Sequence, residues 1–252
     1  MSEHHSYKPL IGNQSQHRGI YLLPNLFTTA ALFAGFYAIV QAMNGHFELA
    51  AVAIFVAMVL DGLDGRVARL THTQSAFGAE YDSLSDMVSF GVAPALIAYV
   101  WALKGMGKLG WMAAFVYCVG AALRLARFNT QLEVADKRYF QGLPSPAAAA
   151  LVAGLVWVMN EYGIDGSEVK WLAFSVTLFA GLTMVSNVRY YSGKDINLRR
   201  SVPFVVVFLI AMGFVLVAYS PPEILFGVVT LYALSGYASS AWSWLHRNKV
   251  KA

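Results

Sequence analysis

One stretch decides which class of protein this chain belongs to: residues 203–219 have the sequence PFVVVFLIAMGFVLVAY and carry no charged side chain. A helix of roughly 20 apolar residues is what crosses a bilayer. Across the 252 residues, 58% are hydrophobic and 13% are charged, whereas soluble domains are about 25% charged. This composition excludes a soluble enzyme, a disordered chain and a disulfide scaffold. It predicts a protein that crosses the membrane several times.

Seven further apolar segments accompany this one, so we predict an all-α integral membrane fold with about eight transmembrane helices. They lie at about 20–43, 47–70, 80–103, 109–131, 146–162, 168–190, 203–219 and 222–245. If both termini are cytoplasmic, fifteen of the eighteen Lys and Arg residues fall on the cytoplasmic side, and only Lys104, Lys108 and Lys170 fall on the other. The positive-inside rule therefore predicts that both termini are cytoplasmic.

Four aspartates lie in or at the inner ends of the second and third predicted helices, where burial of a charged side chain in the bilayer is unfavourable. They are Asp61, Asp64, Asp82 and Asp86. A single aspartate at mid-membrane costs roughly 2.5 to 3.5 kcal/mol, so four would cost on the order of 10 kcal/mol. A cost of that size requires either a wet cavity or bound cations.

The spacing of these carboxylates indicates a shared site. At about 100° per residue, Asp61 and Asp64 fall on one face of their helix, while Asp82 and Asp86 lie one turn apart on the next. The two helices are antiparallel neighbours joined by a short inner loop, so the two pairs can converge. Mg²⁺ is commonly held by carboxylates together with substrate phosphates. We therefore predict a divalent-cation site that opens to the cytoplasm.

Small residues and an arginine recur in the same stretch, which has the pattern Asp61-x2-Asp64-Gly65-x2-Ala68-Arg69-x8-Gly78-x3-Asp82-x3-Asp86. This pattern resembles the signature of the CDP-alcohol phosphotransferases, integral membrane enzymes of phospholipid synthesis, at every signature position. The resemblance implies that the four aspartates bind two Mg²⁺ or Mn²⁺ ions and that Asp86 is also the general base. It further implies that CDP-diacylglycerol is bound by Asn25, Gly65, Ala68, Arg69 and Gly78.

Three other stretches resemble the branch of this family that uses L-serine as the alcohol. They are DMVSFGVAPA at 86–95, RLARFN at 124–129 followed by FQGLPSP at 140–146, and MVSNVRY at 184–190. The resemblance implies transfer of the phosphatidyl group of CDP-diacylglycerol to L-serine, with release of CMP. We hypothesise that Arg127 or Arg124 binds the serine carboxylate, near Asn129 and Ser145. As an alternative, these arginines only mark the cytoplasmic end of the fourth helix.

The resemblance also divides the chain, because it spans about residues 20–194 and implies a six-helix core there. We expect a cytoplasmic tail at 1–19, this core at 20–194, and two additional transmembrane helices with a basic cytoplasmic tail at 195–252. We further expect a homodimer in a membrane of the bacterial inner-membrane type, in contact with membrane lipids and without a nucleic acid partner.

Other functions stay open at this point. The same chemistry with glycerol 3-phosphate or inositol phosphate is one, although glycerophosphate-using relatives commonly have an arginine where this chain has Ala31. Intramembrane carboxylates also mark ion pathways, so a cation-coupled transporter is a second alternative. A non-catalytic scaffold is the weakest alternative, since it gives no reason to keep four aspartates. Direct displacement and a covalent enzyme intermediate are both compatible with the motif.

Overall fold

A computed structural model describes residues 22–131, 139–191 and 204–249 of the chain. Within these ranges the backbone forms eight consecutive helical segments, in agreement with the predicted all-α fold. They are α1 (Leu22–Met43), α2 (Phe47–Leu70), α3 (Ala76–Met106), α4 (Lys108–Gln131), α5 (Ser145–Glu161), α6 (Lys170–Val185), α7 (Phe204–Tyr219) and α8 (Pro221–Lys249). The predicted tail at 1–19 and the predicted boundary at 194–195 lie outside the described residues.

The lengths and compositions of the helices support an integral membrane protein. Among the described residues, α1, α3 and α4 are each long and apolar enough to cross a membrane. The apolar helices α5, α6 and α7 are shorter, with 17, 16 and 16 residues. At about 1.5 Å per residue, 16 residues cover roughly 24 Å of a bilayer core about 30 Å thick. The total of eight crossings therefore stays a prediction.

The third helix begins about one turn before its predicted start at residue 80. Ser75 is its N-cap, and the side chain of Ser75 accepts a hydrogen bond of 3.0 Å from the backbone N–H of Gly78. Capping of this kind satisfies a backbone donor that the first turn of a helix leaves free. The cap fixes the start of α3 six residues before Asp82, close to the end of α2.

A short antiparallel strand pair is a feature that hydropathy did not predict. Strand β1 (Tyr139–Gln141) pairs with β2 (Arg189–Tyr191), with Phe140 opposite Tyr190. The sixth predicted span is therefore too long at its end, because α6 stops at Val185 and the chain turns into β2. Three residues are too few for an alternating pattern to be visible in the sequence.

The third helix is not a regular α-helix after Asp86. Two π-helical segments interrupt it, at Met87–Val92 and Tyr99–Leu103. Pro94 has no N–H to donate to the carbonyl of Phe90 four residues earlier, and the buried hydroxyl of Tyr117 on α4 donates to that carbonyl at 3.0 Å. Widened turns of this kind are frequent at functional sites. Here the first one directly follows the last of the four aspartates.

Small side chains allow the helices to approach closely. α1 packs along α2, α4 crosses α6, and α5 lies against α2, α6 and α8. At the crossing of α4 and α6, a Cβ added to Gly120 would overlap the carbonyl oxygen of Gly181. At the contact of α1 with α3, a Cβ added to Gly35 would overlap the side chain of Ser89. Close packing of small residues is a common way for helices to associate within a membrane, and it fixes α3 and α4 around the aspartates.

Candidate active site

The four aspartates come together where α2 ends and α3 begins. One carboxylate oxygen from each of Asp61, Asp64 and Asp82 lies within 4.8 Å of the others. Asp86 lies outside this group of three, and its carboxyl group is close enough to that of Asp61 for the two to hydrogen-bond. The convergence expected from the spacing of the two carboxylate pairs is therefore present in the structure.

Hydrogen bonds orient this cluster only in part. Thr28 on α1 donates through its hydroxyl to Oδ2 of Asp64 at 2.8 Å, and both side chains are buried. In contrast, Oδ1 of Asp82 is buried and has no hydrogen-bond partner in the described part of the chain. A buried acceptor without a partner is unfavourable by about 1–3 kcal/mol. Three neighbouring carboxylates with an unsatisfied oxygen fit a divalent cation, which prefers several oxygen ligands.

Two glycines leave the backbone beside the aspartates accessible. A Cβ added to Gly78 would lie 3.5 Å from Oδ1 of Asn25, and one added to Gly65 would lie 3.6 Å from a guanidinium nitrogen of Arg69. The five residues predicted to bind the nucleotide thus include two neighbouring pairs, Asn25 with Gly78 and Gly65 with Arg69. Ala68 lies on α2 three residues after Gly65, which places both on the same side of that helix. Because these positions lack bulky side chains, a ligand can approach the backbone there.

One arginine of α4 lies within electrostatic range of two of the aspartates. Nη1 of Arg124 donates to Oγ of Ser145 at 2.6 Å, and Ser145 is fully buried at the start of α5. The positive charge of Arg124 acts on both Asp61 and Asp86. Arg124 and Ser145, both predicted to bind serine, are therefore in contact with each other, and Arg124 is within electrostatic range of Asp61 and Asp86.

The other two residues of the predicted serine pocket have different partners. Nη1 of Arg127 lies 3.4 Å from the carbonyl oxygen of Ser186 and 3.4 Å from Oδ1 of Asn187, beyond the end of α6. Asn129 donates to Oγ of Ser83 on α3 at 3.0 Å. The structure thus separates two arginines that the sequence left equivalent, since the charge of Arg124 acts on two of the aspartates and Arg127 bonds to residues beyond the end of α6.

Serine and threonine hydroxyls have a role that the sequence analysis did not assign. Oγ of Ser85 donates to the carbonyl of Thr28 at 3.2 Å, and Oγ of Ser89 donates to the carbonyl of Ala31 at 3.1 Å. These bonds tie α3 to α1, and Thr28 in turn orients Asp64. The available signal for Thr28 was its position in the Pro24-Asn25-x2-Thr28 stretch, one helical turn after Pro24.

Comparisons with known proteins agree with this site. A family model described as CDP-alcohol phosphatidyltransferase matches residues 21–185. The chain is 39% identical over 217 residues to a Helicobacter pylori protein named CDP-diacylglycerol–serine O-phosphatidyltransferase, and the match covers 86% of this chain and 90% of that protein. Proteins of the same name match from Methanocaldococcus jannaschii, 34% identical over 73% of this chain and 80% of that one, and from Mycobacterium tuberculosis, 40% identical over 67% of this chain and 61% of that one. The chain therefore belongs to the CDP-alcohol phosphatidyltransferase family, as its aspartate motif predicted.

Proposed function

We propose that this protein transfers the phosphatidyl group of CDP-diacylglycerol to the hydroxyl group of L-serine, giving phosphatidylserine and CMP. The observation that carries the proposal is the convergence of four aspartates within electrostatic range of the half-buried Arg124. Carboxylates can hold the cations that a diphosphate requires, and a guanidinium can bind the carboxylate of an amino acid. The relatives described above, which carry the name of this activity, support the choice of serine.

The proposed cofactors are two Mg²⁺ or Mn²⁺ ions held by Asp61, Asp64, Asp82 and Asp86. The grouping of three carboxylates and the unsatisfied Oδ1 of Asp82 support this assignment. When bound, such cations neutralise the diphosphate and stabilise the charge that develops on the entering and leaving oxygens. Asn25, Gly65, Ala68, Arg69 and Gly78 are the proposed contacts of the CDP-diacylglycerol headgroup.

Asp86 is the proposed general base. It lies beside Asp61 but outside the group of three carboxylates. As the serine oxygen forms its bond to the phosphorus that carries the diacylglycerol, the Asp86 carboxylate accepts the hydroxyl proton. The bond from that phosphorus to the oxygen of CMP breaks, and CMP leaves with the electron pair. Because deprotonation accompanies attack, a weak base such as aspartate is sufficient.

Arg124 is the proposed ligand of the serine carboxylate. A guanidinium has five N–H donors, and Ser145 accepts from one nitrogen of Arg124. The remaining donors can hold a carboxylate close to Asp86, which is where the serine hydroxyl must be deprotonated. Arg127 and Asn129 are assigned a supporting role at the edge of this pocket, because their hydrogen bonds run to the end of α6 and to Ser83.

A membrane arrangement is part of the same proposal. We propose eight crossings with both termini and the active site on the cytoplasmic side, a six-helix core at 20–194 and two additional helices after it. The uneven distribution of Lys and Arg supports this orientation. The homodimer implied by the family resemblance stays a prediction.

The acceptor alcohol can be tested directly. Purified protein in mixed micelles, with CDP-diacylglycerol and Mn²⁺, is given labelled serine, glycerol 3-phosphate or inositol phosphate in separate assays. We expect serine-dependent release of CMP, with the label transferred to lipid. Transfer of label to lipid from another alcohol would still be consistent with catalysis by the aspartates, but it would refute serine as the acceptor. No turnover with any alcohol, in protein shown to be folded, would instead favour the transporter.

If Asp86 is the general base, its replacement should lower the catalytic rate without preventing the binding of CDP-diacylglycerol. Asp86→Asn keeps the size of the side chain but removes the base, so kcat should fall by about 10²- to 10⁴-fold. CDP-diacylglycerol should still bind, as measured by the shift in melting temperature that it produces. An Asp86→Asn variant with near-normal kcat would contradict the assignment.

The two arginines of α4 should affect serine differently. Arg124→Gln should raise the KM for serine by about 10- to 100-fold, since hydrogen bonds to charged groups contribute about 1.5–3 kcal/mol. Arg127→Gln is the matched comparison and should change this KM much less. Steady-state kinetics at saturating CDP-diacylglycerol measures both, and a larger effect from Arg127→Gln would reverse the assignment.

The bond from Thr28 to Asp64 predicts an effect on cation affinity. Thr28→Val preserves shape but removes the donor to Asp64, so Mn²⁺ affinity should fall by about 10- to 100-fold. Thr29→Val is the control, because the Thr29 hydroxyl bonds to Tyr81 and the carbonyl of Asn25. Melting temperatures measured over a series of MnCl₂ concentrations report binding independently of activity. The same Mn²⁺ dependence in both variants would argue against a cation held by Asp64.

A further inference from the structure

A tyrosine that the aspartate motif leaves unspecified lies between two of its fixed positions. Tyr81 on α3 is three residues after Gly78 and directly precedes Asp82. Its side chain is half-buried, and its ring stacks on that of Phe77, one turn earlier, with 5.9 Å between centroids and 19° between the ring planes. The ring is therefore held on α3, and its hydroxyl is the group that can reach a neighbouring helix.

The hydroxyl of Tyr81 bonds to α1. It lies 2.9 Å from Oγ1 of Thr29, and the Thr29 hydroxyl donates to the carbonyl of Asn25 at 2.7 Å. Since the single hydroxyl hydrogen of Thr29 is directed at Asn25, Tyr81 is the donor in its bond to Thr29. A chain of two hydrogen bonds therefore runs from α3 to the first turn of α1.

The same two helices also meet at the side chain of Asn25. Oδ1 of Asn25 lies 3.5 Å from the position that a Cβ on Gly78 would occupy, so this side chain lies against the backbone of α3. Tyr81 ties α1 to α3 within one turn of this contact. The bonds of Ser85 and Ser89 to α1 lie one and two turns further along α3. Of these three residues, Tyr81 is therefore the closest along α3 to the contact between Asn25 and Gly78.

We infer that Tyr81 is a positioning residue for CDP-diacylglycerol. Through Thr29, it holds the first turn of α1 against α3, so that the Asn25 amide stays beside Gly78, where the headgroup is proposed to bind. The inference rests on the proposed contacts of Asn25 and Gly78 with that headgroup. Tyr81 acts without touching the substrate, and its hydroxyl affects binding of the nucleotide lipid rather than binding of serine.

The test measures binding of CDP-diacylglycerol without turnover. Melting temperatures of the protein in mixed micelles, over a series of CDP-diacylglycerol concentrations at saturating Mn²⁺, give an apparent affinity. Tyr81→Phe keeps the ring and removes the donor, so this affinity should fall about three- to tenfold, the effect expected from loss of one hydrogen bond. The Mn²⁺ dependence of its melting temperature without CDP-diacylglycerol, and its KM for serine, should match those of the wild type.

Tyr237→Phe is the matched control, because it also removes one tyrosine hydroxyl that joins two helices. The hydroxyls of Tyr237 on α8 and Thr183 on α6 lie 2.8 Å apart. This variant should lower the melting temperature and leave the affinity for CDP-diacylglycerol unchanged.

A double-mutant cycle separates positioning of Asn25 from a general structural effect. Asn25→Ala should itself weaken CDP-diacylglycerol binding, and Tyr81→Phe in that background should cause no further loss, because the side chain through which it acts is gone. Wild-type affinity in Tyr81→Phe, equal losses in Tyr81→Phe and Tyr237→Phe, or additive losses with Asn25→Ala would each overturn the inference. Wild-type protein that binds CDP-diacylglycerol but does not turn over serine would refute the proposed acceptor alone. Wild-type protein that does not bind CDP-diacylglycerol would refute the proposed headgroup site, and the inference with it.

Discussion

Mutual repulsion among carboxylates in a membrane protein is the constraint on which this structure depends. Asp61, Asp64 and Asp82 bring negative charge within 4.8 Å, in helices that otherwise suit a bilayer. Burial and proximity both oppose such a cluster, and within the described residues Oδ1 of Asp82 has no hydrogen bond to offset them. Positive charge at the centre of the cluster offsets this repulsion. Cations held by this cluster can also bind the negatively charged diphosphate of a substrate, so the cluster is suited to phosphoryl transfer rather than to a purely structural role.

The surrounding helices supply the remaining polar contacts from several directions. The hydroxyl of Thr28 on α1 donates to Asp64, and Arg124 on α4 contributes a positive charge. The hydroxyl of Tyr117 donates to the carbonyl of Phe90 in the widened turn after Asp86. Each of these groups is positioned by close helix contacts at small residues such as Gly35 and Gly120. Packing in the apolar part of the molecule therefore determines the geometry of its polar site.

The sequence predicted those parts of the structure that depend on local periodicity. The spacings of three and four residues place each pair of aspartates on one helix face, and a short connection then brings the two faces together. Arg124 and Arg127 could not be separated in this way, because three residues apart they share the same side of a helix. The two arginines are distinguished by their partners Ser145 and Ser186, which depend on how α4 is rotated against its neighbours. The strand pair was not predicted because its two strands are short and 47 residues lie between Gln141 and Arg189.

The reaction places different demands on the carboxylate cluster and on the site for the acceptor alcohol. Residues 21–185, which the family model matches, contain all four aspartates and Arg124. Cleavage of the diphosphate needs the same carboxylates whatever alcohol attacks, so that part of the site can be common to a whole family. Recognition of the alcohol must differ between acceptors, and Arg124, which bonds to Ser145, is the group proposed to bind the carboxylate of serine. The residues around Arg124 can therefore differ between enzymes for different alcohols without disturbing the carboxylate cluster.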